Sequence, residues 1–234
     1  MEAFAKNVFD LPELREKIKV FADRRHAGEI LGEMLRSFQE SNAILLAIPA
    51  GGLPVALGIQ DKIGIEFDVA VVSKITLPWD TEAGYGAVAF DGTLRLNEAM
   101  LARIGLGERQ IQKGQMDTLK KVKRRVKHLR GDRPFPDLTG RAVLLVDDGL
   151  ASGFTMLVAA EAVRKGGAAS IIVAVPTGHL ESIQRIVAQV DAVYCPNTRS
   201  GMRFAVADAY EYWSDVSDAE LLGLLKKGQD HAIQ

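Results

Sequence analysis

The sequence predicts an α/β fold in which a central, mostly parallel five-stranded sheet is flanked by helices. Short apolar runs of strand length recur along the chain, and segments with helical period separate them. The runs do not alternate apolar with polar residues, which is the pattern of strands covered on both faces of a parallel sheet. Composition agrees: 47% of the 234 residues are hydrophobic and 25% charged. Those values exclude a disordered chain, a collagen-like repeat and a disulfide-stapled miniprotein.

Taken in order, residues 11–40 read as a helix with a break near Phe21, followed by a strand over 43–48 (AILLAI). A Pro-Ala-Gly-Gly loop at 49–52 leads into a helix over 53–62, with Pro54 in its first turn. The second strand is 68–73 (DVAVVS) and the third 142–146 (AVLLV). A helix over 153–165 stops at Gly166-Gly167, a C-cap signal. A fourth strand at 170–175, a helix at 179–190, a fifth strand at 191–195 and a helix at about 217–227 complete the series.

Residues 74–141 interrupt this rhythm and are too long for a plain loop. Asp91-Gly92 between Ala87–Phe90 and Thr93–Leu96 is a two-residue hairpin signal. A helix over about 108–130 follows, with Leu119, Val122, Val126 and Leu129 on one face. Nine Lys/Arg lie between 113 and 133, against Asp117 and Asp132. Such a face is usually just solvated, and no aromatic residues interleave for base stacking, so nucleic acid is not expected as a partner. The organisation is read as one domain over 1–234, with a core at about 20–195, an insertion at about 75–140 and an extension at 196–234.

Formal charge is 29 − 30 = −1, so no global field draws the molecule to nucleic acid or membrane. The single cysteine, Cys195, suits a reducing compartment and reads as a packed thiol. No apolar run could span a bilayer, and residues 1–17 carry acids without an apolar signal core, so a soluble cytoplasmic protein is expected. His26, His128, His179 and His231 lack metal-ligand spacing.

Chemistry concentrates in residues 143–155, VLLVDDGLASGFT. A buried strand ends in Asp147-Asp148, and the small-residue loop Gly149, Leu150, Ala151, Ser152, Gly153 opens a helix at Phe154 and Thr155. In parallel α/β sheets the ligand crevice lies at the C-terminal strand edge. Loop amides, the helix dipole and the hydroxyls of Ser152 and Thr155 form an anion cradle. Two adjacent carboxylates beside it would grip neighbouring hydroxyls or a Mg²⁺-bound diol, a combination that suits a sugar phosphate.

This run resembles the phosphoribosyl-diphosphate (PRPP) signature of the type I phosphoribosyltransferase family. Residues 21–28 (FADRRHAG), 48–55 (IPAGGLPV), 84–89 (GYGAVA) and the stretch from Phe204 to Trp213 resemble blocks of a poorly characterised branch whose acceptor is unassigned. The resemblance implies the fold, PRPP as donor, Mg²⁺, homodimerisation, and transfer of phosphoribosyl to a nitrogenous acceptor with release of pyrophosphate. It implies that Asp147 and Asp148 hold the ribose hydroxyls, that 149–155 wrap the 5-phosphate, and that Ala50, Gly51, Gly52 and Lys74 meet the diphosphate.

Two departures qualify it. Ala50 and Ser73 stand where arginine is expected, which favours an alternative: a non-catalytic PRPP or nucleotide sensor, with RNA as one candidate partner. Ala151 stands where enzymes for 6-oxopurines have Asp, which argues against such an acceptor. Residues 75–98 are the candidate mobile lid, and Arg199 and Arg203 the candidate contacts for an anionic acceptor, the alternative being solvated loop cations. Tyr210, Tyr212 and Trp213 read as hydrophobic packing. A phosphatase-like use of Asp147-Asp148 is disfavoured by the lack of an Asp-x-Asp pair.

Overall fold

The structure, a computed structural model, describes residues 6–231. Its elements run β1 (Val8–Phe9), α1 (Arg24–Met34), β2 (Ile44–Ala47), α2 (Gly52–Ile63), β3 (Glu66–Val69), β4 (Val72–Leu77), β5 (Asp80–Ala89) and β6 (Leu94–Leu96). They continue with α3 (Glu98–Ile104), α4 (Glu108–Arg130), β7 (Ala142–Val146), α5 (Phe154–Lys165), β8 (Ser170–Ala174) and β9 (Thr177–His179). The last are α6 (Leu180–Val187), β10 (Ala192–Tyr194), β11 (Asn197–Arg199) and α7 (Asp218–His231).

Six strands form the main sheet in the order β1-β10-β8-β7-β2-β3, and every pairing is parallel. The sequence anticipates all of them but β1, the two-residue edge strand. Alternate residues of each central strand enter opposite cores. Leu45, Ala47, Leu144 and Val146 pack with α1, α2 and α7, whereas Ile44, Leu46, Val143 and Leu145 pack with α5 and α6. Burial on both faces is why these strands read as unbroken apolar runs.

Two expected elements are corrected. The helix over 11–40 is instead a 3₁₀ turn at Pro12–Leu14, an extended crossing, and α1. Residues 19–21 donate backbone hydrogen bonds to Asp208 and Ala209, long-range partners that outcompete local helix, and Glu16 and Lys19 take positive φ. Helix starts again only where the Asp23 carboxylate caps the His26 amide at 2.8 Å. The strand over 68–73 is two strands: β3 ends at Val69 beside β2, and β4 leaves to pair antiparallel with β5. One apolar run thus serves two sheets, a division that hydropathy cannot display.

The β4-β5-β6 sheet, α3 and α4 occupy 72–130. Its β5–β6 turn has Gly92 at φ 92°, as the Asp-Gly pair predicts. That turn is packed rather than lid-like: Thr93 is buried, and its hydroxyl lies 3.2 Å from Lys165 Nζ. The opposite β4–β5 turn carries the exposed Trp79. α4 is tied to the main sheet by a buried ion pair, Arg130 Nη1 to Asp68 Oδ2 at 2.5 Å, with Arg130 also over the Phe135 ring.

Removing one partner of a buried pair strands the other charge. We expect Arg130→Ala to cost about 3–5 kcal/mol in urea denaturation. The double variant Arg130→Met/Asp68→Leu should recover most of that loss, because no charge then stays buried.

Candidate active site

β2 and β7 are neighbours in register, Ala47 opposite Val146, so the loops that follow them leave one sheet edge side by side. The approach is close enough to exclude any side chain. A Cβ on Gly51 would lie 1.7 Å from Asp148 Oδ2, and one on Gly52 would lie 2.5 Å from the Val146 carbonyl. These glycines are therefore needed so that the 49–52 loop, whose Pro49–Ala50 peptide is cis, can sit against the carboxylates. From the same loop, Ile48 and Pro49 line the adjoining cavity.

Asp147 and Asp148 are both half-buried. Asp147 Oδ1 accepts from the Asp148 amide at 2.9 Å, while Asp148 Oδ2 accepts from Arg24 Nε at 2.9 Å. Arg24 is itself clamped: its guanidinium lies 3.7 Å from the Trp213 ring centroid, and its Nη1 donates to the Ser214 carbonyl at 2.7 Å. The Tyr210 hydroxyl donates to the Asp148 carbonyl at 2.5 Å, and burial raises that phenol so that it stays protonated. Burial pushes the Asp147 carboxyl well above the ordinary range, and the charge of Asp148 pushes it further. Burial also raises Asp148, but Arg24 offsets part of the effect. Of the two, Asp147 is the carboxyl that takes a proton more readily.

Among the described residues, the 149–153 loop is held from the side of β9 and α6. The Leu150 amide donates to the Thr177 carbonyl at 2.8 Å, and Leu150's side chain is buried, so this residue braces the loop. The Ser182 hydroxyl donates to the Ala151 carbonyl, and Arg185 donates to the Ser152 carbonyl at 2.8 Å. In a trans peptide the following N–H points opposite to the C=O. The amides of Ser152 and Gly153 therefore face away from α6. Gly153 adopts φ 72° at the N-cap of α5, whose first-turn amides lack intrahelical partners. Phe154 N–H is taken up weakly by Ser152 Oγ at 3.4 Å. A cavity of about 190 Å³ is lined by Lys74, both aspartates, Gly149 through Gly153 and Thr155.

The structure thus gathers Asp147, Asp148, Lys74 and the small-residue loop around one cavity. Residues 93–209 match the phosphoribosyl transferase domain family. The chain belongs to the phosphoribosyltransferase family. It is 31% identical over 210 residues to two Mycobacterium tuberculosis proteins provisionally named phosphoribosyl transferases, MT0597 of strain CDC 1551 / Oshkosh and Rv0571c of strain ATCC 25618 / H37Rv. That similarity covers 90% of this chain and 47% of each relative, so the chain spans about half the length of the curated relatives it matches. Among solved structures it resembles TT1426 from Thermus thermophilus, at 30% identity and a TM-score of 0.73, covering 88% of this chain and 98% of that one.

Several contacts of this phosphoribosyltransferase domain escape sequence reading. Arg24 lies within the 21–28 block, yet nothing local pairs it with residue 148. Tyr210 and Trp213 are more than packing, since one holds the Asp148 backbone and the other stacks on Arg24. Arg199 is corrected in both of its expected roles: it is buried, bonded to Ala205 and Asp208, and lies over the Phe204 ring. Arg203 is exposed. Cys195 is buried, and burial raises its thiol, as suits a packed side chain. Among the described residues no helix is long and apolar enough to cross a membrane.

A carboxyl whose folded pKa exceeds its unfolded value destabilises the fold increasingly as pH rises through that folded pKa. Asp147→Asn mimics the protonated form and keeps an oxygen for the Asp148 amide. We expect this variant to melt above the parent at about pH 7, with the difference narrowing towards about pH 4 in scanning calorimetry. A lower melting point at neutral pH would show that the carboxylate's contacts outweigh its burial.

Proposed function

We propose that this domain binds PRPP and transfers its phosphoribosyl group to a nitrogenous acceptor, releasing pyrophosphate. The reading is carried by one juxtaposition: two half-buried carboxylates at the tip of β7 run directly into a loop whose amides face the same cavity. Amides of a helix N-terminus suit a phosphate, and paired carboxylates suit vicinal hydroxyls. Asp148, fixed by Arg24 and Tyr210, would accept from one ribose hydroxyl through its remaining oxygen, and Asp147 from the other.

Among the described residues no cluster of three or more His, Cys, Asp or Glu could cage a metal. The site fits Mg²⁺ in another form, because that ion binds through one or two carboxylates together with substrate phosphates. Asp147 and Asp148 would hold it, and it would neutralise charge on the departing diphosphate. The chain's own contribution is positioning and charge. The loop and the carboxylates fix the ribose ring between two anchors, and Lys74 faces the leaving side. The β4–β5 hairpin, which lines a neighbouring cavity at Ala83 and Gly84, would exclude water from a cationic ribose centre.

Ala151 is exposed and lines the cavity, so the loop presents no carboxyl there for proton transfer to a base. This supports an acceptor other than a 6-oxopurine. The test is a pyrophosphate-release screen with Mg-PRPP across a broad panel of nitrogenous acceptors. Turnover with one class, lost by about 100-fold or more in Asp147→Asn/Asp148→Asn, is expected. Tight PRPP binding without turnover on any acceptor would favour the sensor instead, and PRPP affinity unchanged in the double variant would remove the site itself.

A further inference from the structure

A separate cavity, of about 470 Å³, is walled by the segments that lead into β7 and β8, at the edge where those strands begin. It shares no lining residue with the cavities around Lys74. α5 runs between the two regions. Phe154 starts this helix at the small-residue loop, and Lys165 ends it in the separate cavity, about 18 Å along the axis.

A mostly apolar lining with a few charged groups is the make-up of a small-molecule site. Here Val126, Leu138 and Ala162 line the hollow together with the rings of Phe90 and Phe135. Those rings stack with centroids 4.2 Å apart and planes within 7°, and both are only half-buried. The wall they form is fixed from behind. The Arg130 guanidinium, paired with Asp68, lies 4.7 Å from the Phe135 centroid, and its Nη2 donates to the Pro134 carbonyl at 2.5 Å.

The charged groups around the hollow are already engaged, with one exception among the described residues. Asp91 accepts from the Thr93 amide at 2.8 Å and its hydroxyl at 2.7 Å, and Asp137 accepts from the Thr139 amide at 2.9 Å. Each carboxylate is thus held by its own turn, while Lys165 pairs with Glu161 at 3.0 Å. Arg133 differs. Its Nε donates to the Arg130 carbonyl at 3.2 Å, and the side chain makes no ion pair among the described residues. The two terminal nitrogens keep the planar fork that fits a carboxylate or a phosphate.

We propose that this cavity binds a planar aromatic anion, its ring on the Phe90–Phe135 wall and its acidic group on Arg133. The site is separate from the one at the tip of β7 and does not depend on what that site transfers. A flat ring gains from stacking on an aromatic surface, and the Arg133 fork separates an anion from its neutral analogue. Aromatic carboxylates and nucleotides share this chemistry, and the volume admits either.

The test is calorimetric titration of the full chain with 2-naphthoate and, separately, with AMP, both in excess ribose 5-phosphate to occupy the loop at 149–153. Binding of either probe is expected, and the tighter one tells an aromatic carboxylate from a nucleotide. Arg133→Gln, at an exposed position, should weaken that probe about tenfold or more, as should replacing 2-naphthoate by neutral 2-naphthamide. Val126→Phe fills the hollow from α4 and should abolish binding. Lys123→Gln removes one charge elsewhere on α4 and should stay within about twofold of the parent. Melting curves report whether each variant folds, and if Val126→Phe melts lower, Arg133→Gln decides alone. A parent that binds neither probe overturns the site. So does an affinity unchanged in Arg133→Gln, or one that falls equally in Lys123→Gln.

Discussion

No side chain fits between the loop after β2 and the carboxylates after β7, and the site depends on that contact. With Gly51 and Gly52 at the crossing, the two loops share a volume in which even a methyl group would overlap Asp148 or the β7 backbone. The parallel pairing of β2 with β7 makes the contact possible, because it delivers both loops to one edge at the same height. Any sheet order that separated these strands would leave the aspartates as solvated turn residues. The same proximity shields them from water, which is why burial dominates their protonation.

The site is then braced by segments distant in sequence. Arg24 from the start of α1, with Tyr210, Trp213 and Ser214 from the chain's last quarter, fixes Asp148 from outside the cavity. Ser182 and Arg185 of α6 hold the loop carbonyls, which turns the opposing amides inward. Both braces have the same effect: they satisfy the groups that face away from the cavity and leave open those that face it. That is preorganisation, in which the cost of orienting dipoles falls on folding rather than on binding.

Much of this was legible in the sequence, for physical reasons that differ by element. β2, β7 and β8 were readable because they are buried on both faces, and α4 because its inward stripe keeps helical period over 23 residues. The loop at 147–155 was readable because small residues, paired acids and a helix start coincide in a short span. The false helix over 11–40 marks the limit: its apolar spacing is real, but residues 19–21 find backbone partners near residue 209. Contacts such as Arg24–Asp148 span 124 positions and have no local signature. The Gly51–Asp148 approach was half legible. Glycine signalled that something comes close, and only the fold shows that it is a carboxylate.

The basic helix shows how a feature plain in sequence acquires meaning only from rotation about an axis. Lys and Arg cover every side of α4 but its inward stripe, so composition alone cannot say which of them face the site. Three contacts fix the rotation. Gly114 sits so close to the Tyr85 hydroxyl that a Cβ there would approach it to 2.1 Å, Val122 and Leu129 are buried in the core, and Arg130 reaches Asp68. With that face turned inward, Lys121 and Arg125 fall at its margin above Lys74, and Lys123 falls outside. The buried pair at the C-terminal end of α4 therefore has a consequence one to three turns away. By setting the helix's orientation, it decides which of the many charges on α4 turn towards the cavity at the tip of β2 and β7.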